Sequence, residues 1–173
     1  MTSTDHHSNA SMDWEFNDNL SCATINAFYK SHQYEGRMSP RDSGMGLIRT
    51  DGYLICALRV LNLSNGCRIR HVFTAPEYRG QGCATRLLDA VTQKLLNAKT
   101  PLPERKEILF PITLVCAKET VNLYKQAGFM EVVHPCGELT QTELKLLRSG
   151  KYCFMEYKLR RTETKNAAKA AFF

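Results

Sequence analysis

Residues 73–84 read FTAPEYRGQGCA, where the end of a strand, a glycine-rich turn and the start of a helix follow one another without a break. The segment before the turn, Cys67 to Phe73, is rich in β-branched and bulky side chains and contains no Gly or Pro, as is typical of a strand. After the turn, apolar side chains recur at helical spacing: Ala84, Leu87, Leu88, Val91 and Leu95. We therefore expect a strand to end at this turn and a helix to begin close to Gly82.

The turn has the chemistry of a phosphate-binding loop. The first N–H groups of a helix have no partner within the helix, and the aligned peptide dipoles favour an anion there. Gly80 and Gly82 permit positive φ angles and close approach of the main chain, so consecutive amides can converge on one anionic group. Arg79 adds a fixed positive charge whose planar donors suit phosphate oxygens. The pattern predicts a site for a diphosphate.

Two other glycine-rich motifs do not fit this turn. A Walker loop requires Lys followed by Ser or Thr after its last glycine, whereas Cys83 and Ala84 stand there. A dinucleotide fingerprint requires a third glycine or small residue, and an acidic ribose ligand about 20 residues farther on. The next predicted strand, Ile112–Cys116, does not end in an acid.

Two segments carry a resemblance to a known family. Arg79-x-x-Gly82-x-Ala84 resembles the acyl-CoA pyrophosphate loop of the GNAT superfamily of N-acetyltransferases, and Ala75–Tyr78 resembles the segment that leads into it. Downstream, Leu123–Phe129 resembles the family's helix-to-strand segment, which ends in Tyr, three residues and Gly-Phe. The resemblance implies the GNAT-like acyl-CoA N-acyltransferase fold, an α/β fold with a single mixed, mostly antiparallel sheet flanked by helices. It also implies acetyl-CoA as co-substrate and no metal.

The predicted organisation is one domain between two short terminal segments. Residues 1–11 are polar and small and are expected to form a disordered lead, residues 12–160 form the N-acetyltransferase domain, and residues 161–173 form a tail. Strands are predicted at Met12–Phe16, 46–49, Tyr53–Val60, 67–73, Ile112–Cys116, Phe129–Val133 and Tyr152–Leu159. Helices are predicted after a cap at Asn17 or Asp18, from about Gly82 to Ala98, around Tyr124, and from the capping box Thr140/Glu143 to Gly150. Tight turns are predicted at Asp51-Gly52 and Asn65-Gly66, and a loop or short irregular helix from Ser31 to Gly44.

Tyr124 is the predicted general acid. The resemblance places it where a proton is given to the departing CoA thiolate, and a phenol of pKa near 10 keeps its proton at neutral pH. The alternative is packing, because Tyr124 and Val121 share one face of an amphipathic helix.

The general base is open between several candidates. Many members of the family place a carboxylate on the strand before the pyrophosphate loop, but here that strand offers Arg68, Arg70 and His71. His71 has an ordinary pKa of about 6.5 and is a candidate catalytic residue, with Glu35 or a chain of water molecules as rivals. A lone histidine on a strand can equally be a hydrogen-bonded structural residue.

The predicted cofactor-binding residues surround the turn. Backbone amides of residues 73–75 are expected to hold the pantetheine arm and the thioester carbonyl. The family's usual asparagine after the fifth strand is missing, and Asn122 is the nearest candidate, although a solvent-facing position is an alternative. The full predicted set is Phe73, Thr74, Ala75, Arg79, Gly80, Gln81, Gly82, Cys83, Ala84, Thr85 and Asn122.

Composition narrows the class of protein. The 173 residues are 43% hydrophobic and 23% charged, which suits one globular domain with a sizeable core. No apolar run approaches the roughly 20 residues of a membrane span, and the first residues do not resemble a signal sequence, so a cytoplasmic protein is expected. The net charge of +6 comes from basic residues spread along the chain, which predicts no nucleic-acid partner. Seven cysteines without Cys-x-x-Cys spacing predict reduced core thiols and no metal site.

The acceptor is left open by the sequence beyond a small-molecule or peptide amine. Arg68 and Arg70 alternate along one strand, and they either bind a substrate carboxylate or lie exposed to solvent at the sheet edge. A homodimer is expected because dimers are common in the family that the sequence resembles. A non-catalytic acyl-CoA sensor, a basic nucleic-acid binder and an acyl-enzyme mechanism through Cys83 or Cys116 are the competing hypotheses.

Overall fold

A computed structural model describes residues 14–97, 111–135 and 137–158. The predicted lead at residues 1–11 and the predicted tail at residues 161–173 lie outside these residues. In the described part of the chain the strands are β1 Trp14–Leu20, β2 Ser43–Arg49, β3 Leu54–Leu63, β4 Gly66–Thr74, β5 Ile112–Ala117, β6 Phe129–Glu131 and β7 Tyr152–Tyr157. The helices are α1 Cys22–Ser31, α2 Cys83–Asn97, α3 Val121–Gln126 and α4 Gln141–Arg148.

The strands form one mixed sheet in the order β1-β2-β3-β4-β5-β7-β6. Neighbouring strands run antiparallel except β4 and β5, which are parallel. The predicted mixed, mostly antiparallel sheet flanked by helices is therefore confirmed. The meander from β2 to β4 follows from short turns, and Gly52, at a φ of 85°, supplies the left-handed residue between β2 and β3.

The start of α1 differs from the prediction. Asn17 and Asp18 belong to β1, and Ser21 caps the helix through its Oγ, which accepts a 3.0 Å hydrogen bond from the Thr24 amide. The strand continues past the predicted cap because β1 pairs with β2 as far as Leu20 opposite Gly44. Backbone pairing with a neighbouring strand overrides the local capping preference of Asn and Asp.

Other boundaries are shifted by a few residues. The strand β6 ends at Glu131 rather than Val133, whose side chain is largely exposed. The strand β2 begins at Ser43, inside the predicted loop, and Gly44 permits the sheet to approach α1 there. A Cβ atom on Gly44 would lie 2.5 Å from Ile25 Cδ1. The capping box of Thr140 and Glu143 is present at the start of α4 as predicted.

The core lies on both faces of the sheet. On one face, α2 and α3 pack against β2 to β5, where the buried side chains include Leu87, Leu88, Val91, Ile69 and Leu114. On the other face, α1 packs with a smaller cluster that includes Ile25, Phe28, Tyr29, Ala57 and Phe73. None of the described helices is long and apolar enough to cross a membrane.

Candidate active site

The parallel strands β4 and β5 pair only along their first halves. Their paired residues run from Cys67 opposite Ile112 to Ile69 opposite Leu114. Beyond that point both strands continue, to Thr74 and Ala117, without a further paired position between them. Where two strands diverge, their facing N–H and C=O groups can form hydrogen bonds with a ligand. The sheet therefore contains a cleft between the carboxyl ends of β4 and β5.

A bulge in β4 lies beside the cleft. Ala57 pairs with Phe73 and Arg59 pairs with Arg70, so two residues of β4 stand opposite one residue of β3. One of these two is His71, at a φ of 54°, a region that few residues other than glycine adopt. The strain of this conformation is held by the surrounding packing, as is common at functional sites.

The glycine-rich turn has the predicted geometry. Gly80 and Gly82 have φ angles of 73° and 77°, and a Cβ atom on either would meet nothing within 4 Å. Positive φ, and not crowding, therefore explains both glycines. Within the described residues, the backbone amides of residues 80–85 donate to no protein acceptor. These amides lie at the start of α2, the arrangement that binds phosphate groups.

Arg79 is anchored beside the cleft. Its Nε donates a 3.2 Å hydrogen bond to the Thr74 carbonyl, and its guanidinium lies 5.3 Å from the centre of the Phe73 ring. The side chain remains exposed, so its remaining donors face solvent. Gln81 Nε2 closes the loop by donating to the Glu77 carbonyl at 3.0 Å.

Some of the other predicted cofactor-binding residues are engaged within the protein, and others are exposed. The Ala75 amide donates a 2.8 Å hydrogen bond to the Ile55 carbonyl, so its expected role as a donor to the pantetheine arm is wrong. Thr74 and Thr85 are partly exposed near the turn, whereas Asn122 is exposed on α3. Buried Phe73 stacks on Tyr34 with ring centres 4.6 Å apart. Ala84 is partly buried and packs against the larger core.

Cys83 is a buried structural thiol. Its side chain is 2% exposed, and its Sγ donates to the Tyr78 carbonyl at 3.2 Å. Burial raises the pKa of Cys83 and outweighs the lowering effects of its own backbone N–H and of the Arg86 guanidinium. Cys83 therefore stays protonated at neutral pH, which argues against the competing hypothesis of an acyl-enzyme at this thiol.

Tyr124 lies in the first turn of α3, which follows β5 after the short 3-10 turn Lys118–Thr120, and it is largely enclosed. Its ring meets Phe129 edge to face at 6.2 Å between centres. Burial raises the pKa of Tyr124, and the neighbouring Cys116, Tyr34 and Cys56 raise it further. Cys116 lies on β5, Tyr34 in the loop after α1 and Cys56 on β3. The phenol is fully protonated at neutral pH.

His71 is surrounded by aromatic and basic groups. Tyr34 Oη lies 3.4 Å from His71 Nδ1, and Tyr29 Oη donates a 2.7 Å hydrogen bond to the His71 carbonyl. Burial lowers the pKa of His71 to about 4, and the guanidiniums of Arg59 and Arg70 lower it further than Asp42 can offset. The imidazole is therefore neutral at pH 7. Tyr34 places a second phenol hydroxyl beside this imidazole, 3.4 Å from Nδ1.

Arg68 and Arg70 belong to an internal ion-pair network. Arg68 is 1% exposed, and its Nη1 donates to Glu143 Oε2 at 2.8 Å and to the Glu138 carbonyl at 2.9 Å. Arg70 Nη2 donates to Glu143 Oε1 at 2.5 Å. Both interpretations of this pair, a substrate-binding role and solvent exposure at a sheet edge, are wrong for Arg68. The reason is that β4 is a central strand, covered here by α4.

Several functional candidates were not marked by any motif. Four residues surround His71 only because α1, the loop after it and β3 fold together: Tyr29, Tyr34, Asp42 and Arg59. Glu35 follows Tyr34 but is exposed. Within residues 14–97, 111–135 and 137–158, no group of three His, Cys, Asp or Glu side chains could hold a metal ion.

Comparison with known proteins places these features in a family context. A family model described as the acetyltransferase (GNAT) domain matches residues 14–139. No curated protein is similar enough in sequence to count as a match.

Similar solved structures share the fold at low sequence identity. The ribosomal-protein-S18-alanine N-acetyltransferase of Escherichia coli is 14% identical, with a TM-score of 0.58 over 84% of this chain and 93% of that one. An acyl-CoA N-acyltransferase from Pseudomonas aeruginosa is 16% identical, with a TM-score of 0.55 over 84% of this chain and 99% of that one. N-acetylglutamate synthase from Neisseria gonorrhoeae, complexed with coenzyme A and N-acetyl-glutamate, is 16% identical, with a TM-score of 0.56 over 86% of this chain and 36% of that one.

Proposed function

We propose, from the premise that this chain belongs to the GNAT acetyltransferase family, that it transfers an acetyl group from acetyl-CoA to a primary amine. Both substrates would be bound together, and the amine would attack the thioester directly. The observation that carries the proposal is that the backbone amides of residues 80–85, at the start of α2, donate to no acceptor within the described residues.

The turn and the cleft would bind different parts of acetyl-CoA. The amides of residues 80–85 and the guanidinium of Arg79 would bind the diphosphate, because both supply positive charge and N–H donors. The separated ends of β4 and β5 would hold the pantetheine arm through backbone hydrogen bonds. Acetyl-CoA supplies a thioester carbonyl, which an amine can attack.

Tyr124 would donate the proton that the departing thiolate needs. The nitrogen–carbon bond forms as the carbon–sulfur bond breaks. The departing thiolate is the conjugate base of a thiol of pKa near 8.5, so it takes up a proton at neutral pH. Tyr124 is protonated because burial raises its pKa, and it lies at the cleft end of β5. A raised pKa keeps the proton available but also makes its transfer more demanding, so the hydroxyl must be held close to the sulfur.

His71 would accept the proton that the amine loses. Its imidazole is neutral because burial and two guanidiniums lower its pKa to about 4, so a nitrogen lone pair is available at neutral pH. Glu35 is a weaker candidate because its side chain is exposed. The proton balance is closed when the His71 proton is released to solvent and the Tyr124 phenolate takes up a proton from solvent.

Reducing conditions suit the cysteines of the protein. Within the described residues no disulfide is formed, and the Sγ atoms of Cys116 and Cys153 lie 3.7 Å apart, a hydrogen-bond distance for sulfur. We therefore place the activity in the cytoplasm, where thiols stay reduced. A homodimer remains part of the proposal, to be checked by sedimentation.

The deciding experiment is a thermal-shift titration with acetyl-CoA and free CoA, followed by mass spectrometry of mixed primary amines incubated with the protein and acetyl-CoA. At a ligand concentration about 100 times Kd, binding stabilises the native state by about 2.7 kcal/mol. A shift together with amine products 42 mass units heavier, roughly the mass added by one acetyl group replacing a proton, supports the enzyme. A shift without any product favours the acyl-CoA sensor. No shift at millimolar acetyl-CoA would refute the proposed function.

A further inference from the structure

A cavity of about 360 Å³ lies next to the candidate active site, and we call it the Arg59 pocket. It is bounded by α1, by the segment that leads to β2 and by β3. The residues that line it are Cys22, Asn26, Arg37, Met38, Ser39, Pro40 and Arg59. Its volume falls at the lower end of the range of small-molecule sites. The lining includes two arginines and no acidic residue.

The walls of the Arg59 pocket are fixed before any ligand binds. Asn26 Nδ2 donates to the Met38 carbonyl at 3.1 Å, and Asn26 Oδ1 accepts from the Met38 amide at 2.7 Å. The Asp42 carboxylate accepts from the Ser39 amide at 2.9 Å and from the Arg59 guanidinium. The segment is thus fastened both to α1 and to β3, so little conformational entropy is lost on binding.

Arg59 retains hydrogen-bonding capacity inside the protein. Its side chain is only 12% exposed, and the one ion pair it makes with a described residue is with Asp42. Its Nε–H is buried and has no acceptor within the described residues. A buried donor without an acceptor is costly, and a carboxylate that reaches the guanidinium would relieve that cost. Arg37 adds a second positive charge at the rim, with no ion pair to a described residue.

The Arg59 pocket adjoins His71. Gly36 precedes the lining residue Arg37, and a Cβ atom on Gly36 would lie 2.6 Å from His71 Nδ1. On the sheet side, Arg59 pairs in register with Arg70, which directly precedes His71. A ligand held by Arg59 would therefore have its far end close to the imidazole.

We propose that the Arg59 pocket binds the carboxylate of the acceptor, so that the substrate is an amine of amino-acid size that carries a carboxylate group. This inference rests on the proposed function and names the substrate class of the same site. Arg59 and Arg37 bind the carboxylate, and the amine faces His71. The bound carboxylate also offsets the positive charge that lowers the pKa of His71, which makes the imidazole a better proton acceptor when the substrate is present.

The test measures binding separately from transfer. Isothermal titration of the full chain, with free CoA present to prevent turnover, compares the twenty standard amino acids with their α-carboxamides. The amide has nearly the same size and keeps the amine, but it lacks the negative charge. We expect at least one amino acid to bind ten- to a hundredfold more tightly than its amide, as is typical of a hydrogen bond to a charged group.

Two variants and a control test whether the preference for the amino acid over its amide arises in the Arg59 pocket. Arg37→Gln and the double variant Asp42→Asn/Arg59→Gln should each bring the acid-to-amide ratio toward one. The double variant leaves no unpaired charge in place of the buried ion pair, so it retains the fold better than loss of Arg59 alone. Arg41→Gln, an exposed arginine in the same segment that does not line the pocket, should keep the wild-type ratio.

The outcomes separate this inference from the proposed function. If no amino acid binds better than its amide, or if the preference survives in both variants, the inference is overturned even when acetyl transfer is observed. Carboxylate binding that both variants abolish supports the pocket. If wild-type protein then transfers no acetyl group to the bound amino acid, it is the proposed function that fails.

Discussion

The hydroxyl of Tyr29 donates a 2.7 Å hydrogen bond to the carbonyl oxygen of His71, which joins α1 to the bulge in β4. The contact holds His71 at a positive φ angle, next to Tyr34 and close to the Arg59 pocket. A helix on one face of the sheet thereby fixes the backbone of the residue proposed to accept the proton.

His71 should make the protein less stable as the pH falls. Its pKa is about 6.5 when unfolded and about 4 when folded, so between these values the unfolded state binds more protons. The stability is present above about pH 6.5 and is lost as the pH falls toward 4. We expect a loss of about 1 kcal/mol between about pH 7 and about pH 5, after allowance for screening of a partly exposed ring.

The variant His71→Asn isolates this contribution, because Asn tolerates positive φ and does not titrate. Urea unfolding at both pH values should show a smaller pH dependence in the variant than in the wild type. Equal pH dependence in the two proteins would contradict a lowered pKa for His71.

Tyr124→Phe should lower kcat by about a hundredfold to ten-thousandfold, the usual contribution of a positioned general acid. The Kd for acetyl-CoA should stay near the wild-type value, because the ring and its packing on Phe129 are kept. Stopped assays of product formation and calorimetric binding measure the two quantities. Tyr152→Phe, a partly buried tyrosine of β7, serves as control and should retain kcat. Unchanged kcat in Tyr124→Phe would assign this tyrosine to packing.

Gly80→Ala and Gly82→Ala should weaken acetyl-CoA binding roughly ten- to a hundredfold, through displaced amides. Each substitution also forces a side chain into a left-handed conformation, at a cost of about 1–2 kcal/mol in stability. Gly52→Ala is the matched control, since Gly52 has a φ of 85° and equally open surroundings in the β2–β3 turn. All three variants should lose similar stability without ligand, and only the first two should lose affinity for acetyl-CoA. Equal affinity in all three would remove the turn from the binding site.

Glu143→Ala should destabilise the protein by about 3–5 kcal/mol, because it leaves buried Arg68 without its counterion. It also removes half of the capping box of α4. The double variant Arg68→Met/Glu143→Gln should be milder, since Gln can still cap the helix and only Arg70, which is partly exposed, loses its counterion. Chemical denaturation provides the comparison. A double variant as unstable as Glu143→Ala would show that packing, and not the buried charge, governs this site.

Cys83→Ala should leave acetyl transfer within a few-fold of wild type, because the thiol is buried, protonated and bonded to the Tyr78 carbonyl. Alkylation with iodoacetamide under native conditions should likewise spare Cys83. Loss of all transfer together with normal acetyl-CoA affinity would instead indicate an acyl-enzyme.

The sequence by itself determined the turn at residues 73–84, the helix after it and the antiparallel meander, whereas the mixed sheet as a whole was implied by the resemblance to the family. These features are local: positive φ selects glycine, apolar spacing selects a helix, and short turns select an antiparallel meander. The one clear local error, the cap of α1, arose because β1 and β2 pair across a distance that local preferences do not include.

Only the tertiary structure decided which polar residues face the site and which are internal. Arg68, Arg70 and Arg59 look alike in sequence, yet the first two pair with Glu143 under α4 and the third lines a cavity beside His71. Tyr34 and Asp42 meet His71 from the loop after α1, and Arg59 meets it from β3. The pKa values follow from that assembly, because burial and neighbouring charge depend on what the rest of the chain places around each group.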